Sequence, residues 1–173
     1  MRSRTLLFIA AALIICCAIT IAHATPIVGV LVKTFLSSGS TNEEIMLHVR
    51  VPLPPTDGED QDGDWTAKLY TSGPTTIAVQ DVVFAPGGHT GWHSHPGILL
   101  SSVISGSMEW YDSQCNKHVY KPGDSLTENT QTHYVRTLGT DNVHFMVTYV
   151  LAKGQPWRID QPAPACAAAL GLD

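Results

Sequence analysis

Beyond residue 24 the apolar positions fall in short runs rich in Val, Ile and Thr, and each run ends at Gly, Pro, Asp or Ser. No stripe with the 3.6-residue period of a helix interrupts them. The pattern predicts strands over Ile27–Phe35, Glu44–Val51, Trp65–Tyr70, Thr75–Phe84, Leu99–Ser105, Met108–Tyr111, Lys117–Tyr120, Ser125–Glu128, His133–Arg136 and Val143–Leu151. Many short strands with regular turns and no internal repeat predict an all-β sandwich or barrel in a single domain. Within Met108–Tyr111, alternation puts Met108 and Trp110 on a core face and Glu109 and Tyr111 on the other.

The start of the chain breaks this pattern. Arg2 and Arg4 precede an apolar run from Thr5 to Ala22, and Ala22-His23-Ala24 has the small-residue spacing of a signal cleavage site. Residues 1–24 therefore read as a signal peptide, and the expected location is secreted or periplasmic. The run is nearly long enough for a short membrane span, which leaves an uncleaved anchor as the alternative. Cleavage removes Cys16 and Cys17 and leaves Cys115 and Cys166. Two cysteines in an oxidising compartment are expected to pair, tying a mid-chain turn to the Pro- and Ala-rich tail for about 4 kcal/mol of stability; two free thiols are the alternative.

Composition narrows the function. The chain has 173 residues, 44% hydrophobic and 14% charged, which excludes wholesale disorder and a coiled coil. Ten Lys and Arg stand against 15 Asp and Glu, for a net charge of −5, and no basic cluster occurs. No nucleic-acid partner is expected, and no membrane partner once the leader is removed. In the loop Val51–Asp64, Asp57, Glu59, Asp60, Asp62 and Asp64 suggest calcium. Counting from Asp60, however, Trp65 and Thr71 occupy the positions where an EF-hand needs Gly and Glu, so the loop reads as a solvated acidic segment. The expected organisation is a signal peptide at 1–24, N-terminal strands and acidic loop at 25–64, a barrel core at 65–153 and a tail at 154–173.

Candidate chemistry concentrates in Ala85-Pro86-Gly87-Gly88-His89-Thr90-Gly91-Trp92-His93-Ser94-His95-Pro96-Gly97, with Ser105-Gly106-Ser107 following the next strand. On a strand, His93 and His95 share a face and converge on one metal through imidazole nitrogen. Trp92 faces the other way and reads as packing. His48, His118 and His144 lack a histidine at strand spacing and read as structural or exposed.

Gly87, then His93-Ser94-His95, then Gly106 resembles the first motif of the cupin superfamily. Lys121-Pro122-Gly123-Asp124-Ser125-Leu126-Thr127-Glu128, followed by His133, resembles the second, so the similarity spans roughly Trp65 to Lys153. Two departures stand out. Leu99 occupies the position, four residues after the second histidine, where the family usually carries a glutamate. The second motif is one residue short between Gly123 and His133, lacks the usual proline and glycine between them, and has Thr137 where Asn is common.

The resemblance implies a small antiparallel β-barrel of double-stranded β-helix type, jelly-roll-like, with one divalent metal ion (Fe, Mn, Ni, Zn or Cu) in its mouth. His93, His95 and His133 are the implied ligands, with coordination positions left open. Glu128 is the candidate for the missing carboxylate, a charged residue on the turn surface being the alternative. The implied partner is a small-molecule ligand or substrate, and a homodimer is expected because cupins are commonly dimeric. Three-histidine cupin dioxygenases set the first functional expectation, an isomerase-like reaction fits the same geometry, and a non-catalytic binder of a small molecule or metal in the cell envelope is the alternative.

Overall fold

The computed structural model describes residues 24–53 and 64–172. Of the sequence expectations, the signal peptide before residue 24 and residues 54–63 of the acidic loop lie outside these.

The strands are β1 (Val28–Thr41), β2 (Ile45–Pro52), β3 (Asp64–Thr71), β4 (Thr75–His89), β5 (His93–Ser94), β6 (Gly97–Ser105), β7 (Ser107–Asp112), β8 (Lys117–Tyr120), β9 (Ser125–Glu128), β10 (His133–Leu138), β11 (Val143–Ala152) and β12 (Ile159–Asp160), with one 3-10 turn at Ala168–Leu170. Each run read as a strand from its apolar pattern is one. The differences lie at the ends: β1 continues through Ser37–Thr41 and β4 through Ala85–His89. The Ser-Gly-Ser-Thr end of β1 carries little strand propensity of its own, and pairing Gly39 with Ile77 and Thr41 with Thr75 holds it extended.

Two antiparallel walls enclose the core. One runs β1–β4–β11–β6–β9, the other β8–β7–β10–β5–β12. The long strand β4 joins them, since its last residue, His89, pairs with Arg136 of β10. Alternation along β4 sends Ala78, Gln80, Val82 and Phe84 inward. There they meet Leu99 and Val103 of β6, Met108 of β7, Val135 of β10 and the inward residues of β11. The result is a nearly closed antiparallel barrel.

Met108 and Trp110 of β7 face this core, as alternation predicts. The opposite face is covered as well. Trp92, Tyr111, Tyr134, Ala167 and Leu172 form a second cluster in which the end of the chain packs against the back of one wall. The Trp92 indole is fully buried and donates a 2.7 Å hydrogen bond to the Leu172 carbonyl, so Trp92 is a packing residue. The disulfide Cys115–Cys166, with 6.2 Å between Cα atoms, ties this terminal segment to the β7–β8 turn.

β2 and β3 form a separate two-stranded ribbon. Its register aligns Leu47 with Leu69, Val49 with Ala67 and Val51 with Trp65, which makes one face apolar; Arg50 and Asp64 pair on the other.

Candidate metal centre

The first two histidines are placed by a turn and a register. Gly91 takes a left-handed backbone (φ +67°), and a Cβ there would lie 2.0 Å from the Thr25 carbonyl oxygen, so only glycine lets the chain double back beneath the N-terminal segment. The chain then enters β5, where His93 pairs directly with His133 of β10. Cross-strand partners project to the same side, and the two rings lie 4.3 Å apart between centroids. His95, two residues on, brings its ring to 4.8 Å from His93 and 5.3 Å from His133. All three are buried, and they offer ligand atoms lying within 4.8 Å of one another. Among the described residues this is the one group of three or more His, Cys, Asp or Glu side chains that could hold a metal ion.

The outer nitrogens of the rings are fixed by the backbone. His93 Nδ1 lies 2.9 Å from the Gly91 carbonyl oxygen, His95 Nδ1 2.7 Å from that of Trp157, and His133 Nδ1 2.9 Å from that of Gln131. A carbonyl only accepts, so each Nδ1 is the donor, and each neutral ring is left with its lone pair on Nε2. Backbone clamps on the distal nitrogen are the usual way a metal-ligating histidine is oriented.

Glu128 arrives from the opposite wall. In the β6–β9 pairing it stands directly across from Leu99, so its side chain enters the barrel where a carboxylate on Leu99's own position would. Its Oε1 lies 3.3 Å from His133 Nε2 and its Oε2 3.6 Å from His95 Nε2. The Trp110 indole donates to Oε1 at 3.2 Å while its ring stacks on His133 at 5.7 Å. The structure thus brings together all four residues singled out from the sequence, and Glu128 is buried rather than on the turn surface.

The electrostatics follow from this crowding. Burial pushes the Glu128 carboxyl up, but the neighbouring His133 and His95 and the Trp110 hydrogen bond outweigh it and hold the group below its ordinary value. Burial lowers His93 well below the usual histidine range, and the nearby His133 lowers it further. Burial also brings His95 down to about 4 against the opposing pull of Glu128. Burial works on His133 too, but the Glu128 carboxylate next to it wins and raises it. His93 and His95 are therefore neutral at physiological pH, and Glu128 is a carboxylate.

The donor set fits a divalent transition metal on this structure's own terms. Three imidazole nitrogens and one carboxylate suit Fe, Mn, Ni, Zn or Cu. His133 Nε2, which is buried, has no hydrogen-bond partner of good geometry. An orphaned buried nitrogen aimed at a carboxylate and two other imidazoles is the arrangement a cation satisfies.

The histidines read as structural or exposed stand elsewhere. His144 Nε2 meets Asp81 Oδ1 at 2.5 Å, His118 packs near Trp110 at 5.9 Å, and His48 is exposed on the ribbon. His89 stacks on Tyr134 at 5.3 Å.

A cavity of about 50 Å3 opens beside the cluster, with Val82, Phe84, Leu99 and Phe145 on its apolar side and Lys33, Arg158, Gln80 and Tyr149 among its polar residues. None of these polar residues is evident from motif spacing. Lys33 leaves a trace, as a lone charge in an apolar strand. Trp157, whose carbonyl clamps His95, leaves none, because a backbone group has no sequence signature.

Residues 80–149, which run from within β4 to within β11 of the barrel, match the family model described as a cupin domain, and this match supports a place for the chain in the cupin superfamily. Among solved structures it is similar to a cupin-like protein from Thermotoga maritima (23% identity over 50% of this chain and 65% of that one, TM-score 0.44). A polyketide cyclase from Streptomyces resistomycificus (18%, 54% and 68%, 0.44) and the DMSP lyase from Ruegeria pomeroyi (17%, 49% and 43%, 0.44) are also similar. The chain therefore spans just under two thirds of the first of these and less than half of the lyase. No curated protein matches it in sequence.

Proposed function

We propose that this cupin is an exported divalent-metal enzyme, dioxygenase-like or isomerase-like, acting on a small oxygen-rich molecule, with His93, His95, His133 and Glu128 holding the metal. The observation that carries this reading is the set of three backbone clamps, which turns every Nε2 lone pair toward the same point beside a buried carboxylate. A barrel that used these histidines only for packing would have no need to fix the same tautomer three times.

When bound, the metal supplies Lewis acidity toward a substrate oxygen and, in the dioxygenase-like case, a site for O2. The chain's own residues do the rest. Leu99, Val82 and Phe84 keep one side of the cavity apolar and exclude water from it. Trp110 holds the Glu128 carboxylate in place through its indole N–H. Tyr149, raised by burial and by the Glu128 charge, stays a protonated phenol and donates to Gln80 Oε1 at 2.9 Å. Export is supported by the Cys115–Cys166 disulfide, a bond that persists in oxidising compartments. Among the described residues no helix is long and apolar enough to cross a membrane.

The test is turnover. Metal-loaded protein is screened against small enolisable acids, with oxygen uptake followed by electrode and substrate loss by NMR. Consumption by the wild type that falls to background in His95→Ala is the expected result. Ligand-dependent stabilisation without turnover for any substrate class would assign the barrel to a non-catalytic binder instead.

A further inference from the structure

The cavity beside the histidines is lined by two basic side chains among apolar ones. Lys33 sits on β1 opposite Val82, an inward residue of β4, so its side chain is directed to the barrel mouth rather than to the outer face of the sheet. Arg158 follows Trp157, the residue whose carbonyl clamps His95, and precedes β12, which pairs with the His93 strand. Both line the cavity together with His93, His95 and Glu128.

Neither cation is fully used. Arg158 donates from Nε to Asp160 Oδ1 at 2.5 Å. Among the described residues, its terminal nitrogens and the Lys33 ammonium make no hydrogen bond or ion pair. The two like charges line the same cavity and repel each other. Partial desolvation and then the Arg158 charge hold Lys33 below its ordinary value, with Asp160 opposing. The Arg158 charge also reaches His93, His95, His133 and Tyr149. Two cations lining one cavity, with Asp160 engaging only the Arg158 Nε and Glu128 engaged by the histidines, are arranged for an anion.

The apolar part of the lining limits which anion. Val82, Phe84, Leu99 and Phe145 offer no hydrogen bonds, and a phosphate or sulfate, polar on every side, would lose hydration against them without compensation. A carboxylate is polar at one end. A cavity of about 50 Å3 holds on the order of four water-sized groups, which suits a short acid.

We propose that Lys33 and Arg158 form the carboxylate-recognising pair of this site, and that its ligand is a small monocarboxylate whose hydrocarbon end packs on the Val82–Phe84–Leu99 wall. The inference deepens the proposed function and rests on the histidine cluster being the reacting centre. Lys33 and Arg158 are positioning residues that fix which end of the ligand faces the histidines.

The experiment uses the full chain as purified, with metal content measured on every sample. Propionate is titrated calorimetrically beside propionamide, its neutral counterpart of the same shape, and inorganic phosphate. Propionate is expected to bind at least tenfold more tightly than either. Lys33→Met and Arg158→Met are each expected to weaken it about tenfold while keeping the metal content of the wild type. Lys33 lies on an edge strand, so its variant keeps the test readable if Arg158→Met disturbs the Trp157 clamp. Equal binding of propionamide or phosphate, no binding of propionate, or wild-type affinity in Lys33→Met overturns the proposal. If the wild type holds no metal but binds propionate in a Lys33-dependent way, the metal reading falls and this one stands. If metal is held and Lys33→Met binds like the wild type, the reverse is true.

Discussion

Leu99 and Glu128 face each other across β6 and β9, so a carboxylate at either position would enter the same space beside the histidines. It follows that the position is exchangeable. Glu128→Leu is expected to weaken metal affinity by more than the roughly 10- to 100-fold that losing an outer-shell partner costs. The double substitution Leu99→Glu with Glu128→Leu is expected to restore most of it, as measured by competition with a chelator of known affinity. A double variant as weak as the single one would show that β9 itself, and not merely a carboxylate on this face, is required. The histidine pair was legible from its spacing, but β5 ends at Ser94, so His95 is placed by its hydrogen bonds to the Trp157 and Asn129 carbonyls and not by strand alternation. Glu128 was visible only as a candidate, since the sequence does not reveal that β9 lies against β6. The carbonyl clamps from Gly91, Trp157 and Gln131 were not legible at all, and Lys33 needed the β1–β4 register to show which way it points.

At the scale of elements, β7, β8 and β10 are joined by a buried charge. Glu109 is 5% exposed and accepts hydrogen bonds from Tyr111 Oη at 2.7 Å, Lys117 Nζ at 2.9 Å and Arg136 Nε at 2.6 Å. Burial alone would raise its carboxyl, but the bonds from Lys117, Tyr111 and Arg136 bring it down to about 2 from an ordinary 4.5. A carboxylate depressed in the folded state stabilises above its unfolded value, and that contribution is lost as pH falls from about 4.5 toward 2. Lys117 is half exposed and screened, so about 2–3 kcal/mol is at stake. Glu109→Gln is expected to lower stability by about that amount at pH 7 and to flatten the urea-unfolding midpoint between pH 4.5 and 2. An unchanged acid slope in the variant would remove Glu109 from the account. The strands themselves were readable because their interiors alternate or run apolar between turn residues. β5 and β12 were not, because two residues carry no period.

For the whole molecule, the barrel, the terminal segment and the histidine site form one construction. Ala167 and Leu172 are fully buried under Trp92, and the Gln161 amide N–H donates to the Trp92 carbonyl at 3.0 Å, so the end of the chain braces the strand that carries His93. The sequence shows this segment only as a run of Pro and Ala. Its one signal was Cys166, whose pairing with Cys115 closes a loop of 51 residues and fixes the segment against the barrel. Everything in this arrangement points to the cluster of Nε2 atoms, and the central claim is that they hold a metal. The most direct test is elemental analysis of the protein, purified without chelator, beside His93→Ala and Glu128→Ala. The account predicts about one divalent transition metal per chain in the wild type, a lower content in Glu128→Ala and none in His93→Ala. A folded wild-type protein that retains no metal, even after reloading with Fe, Mn, Ni, Zn or Cu, would contradict it.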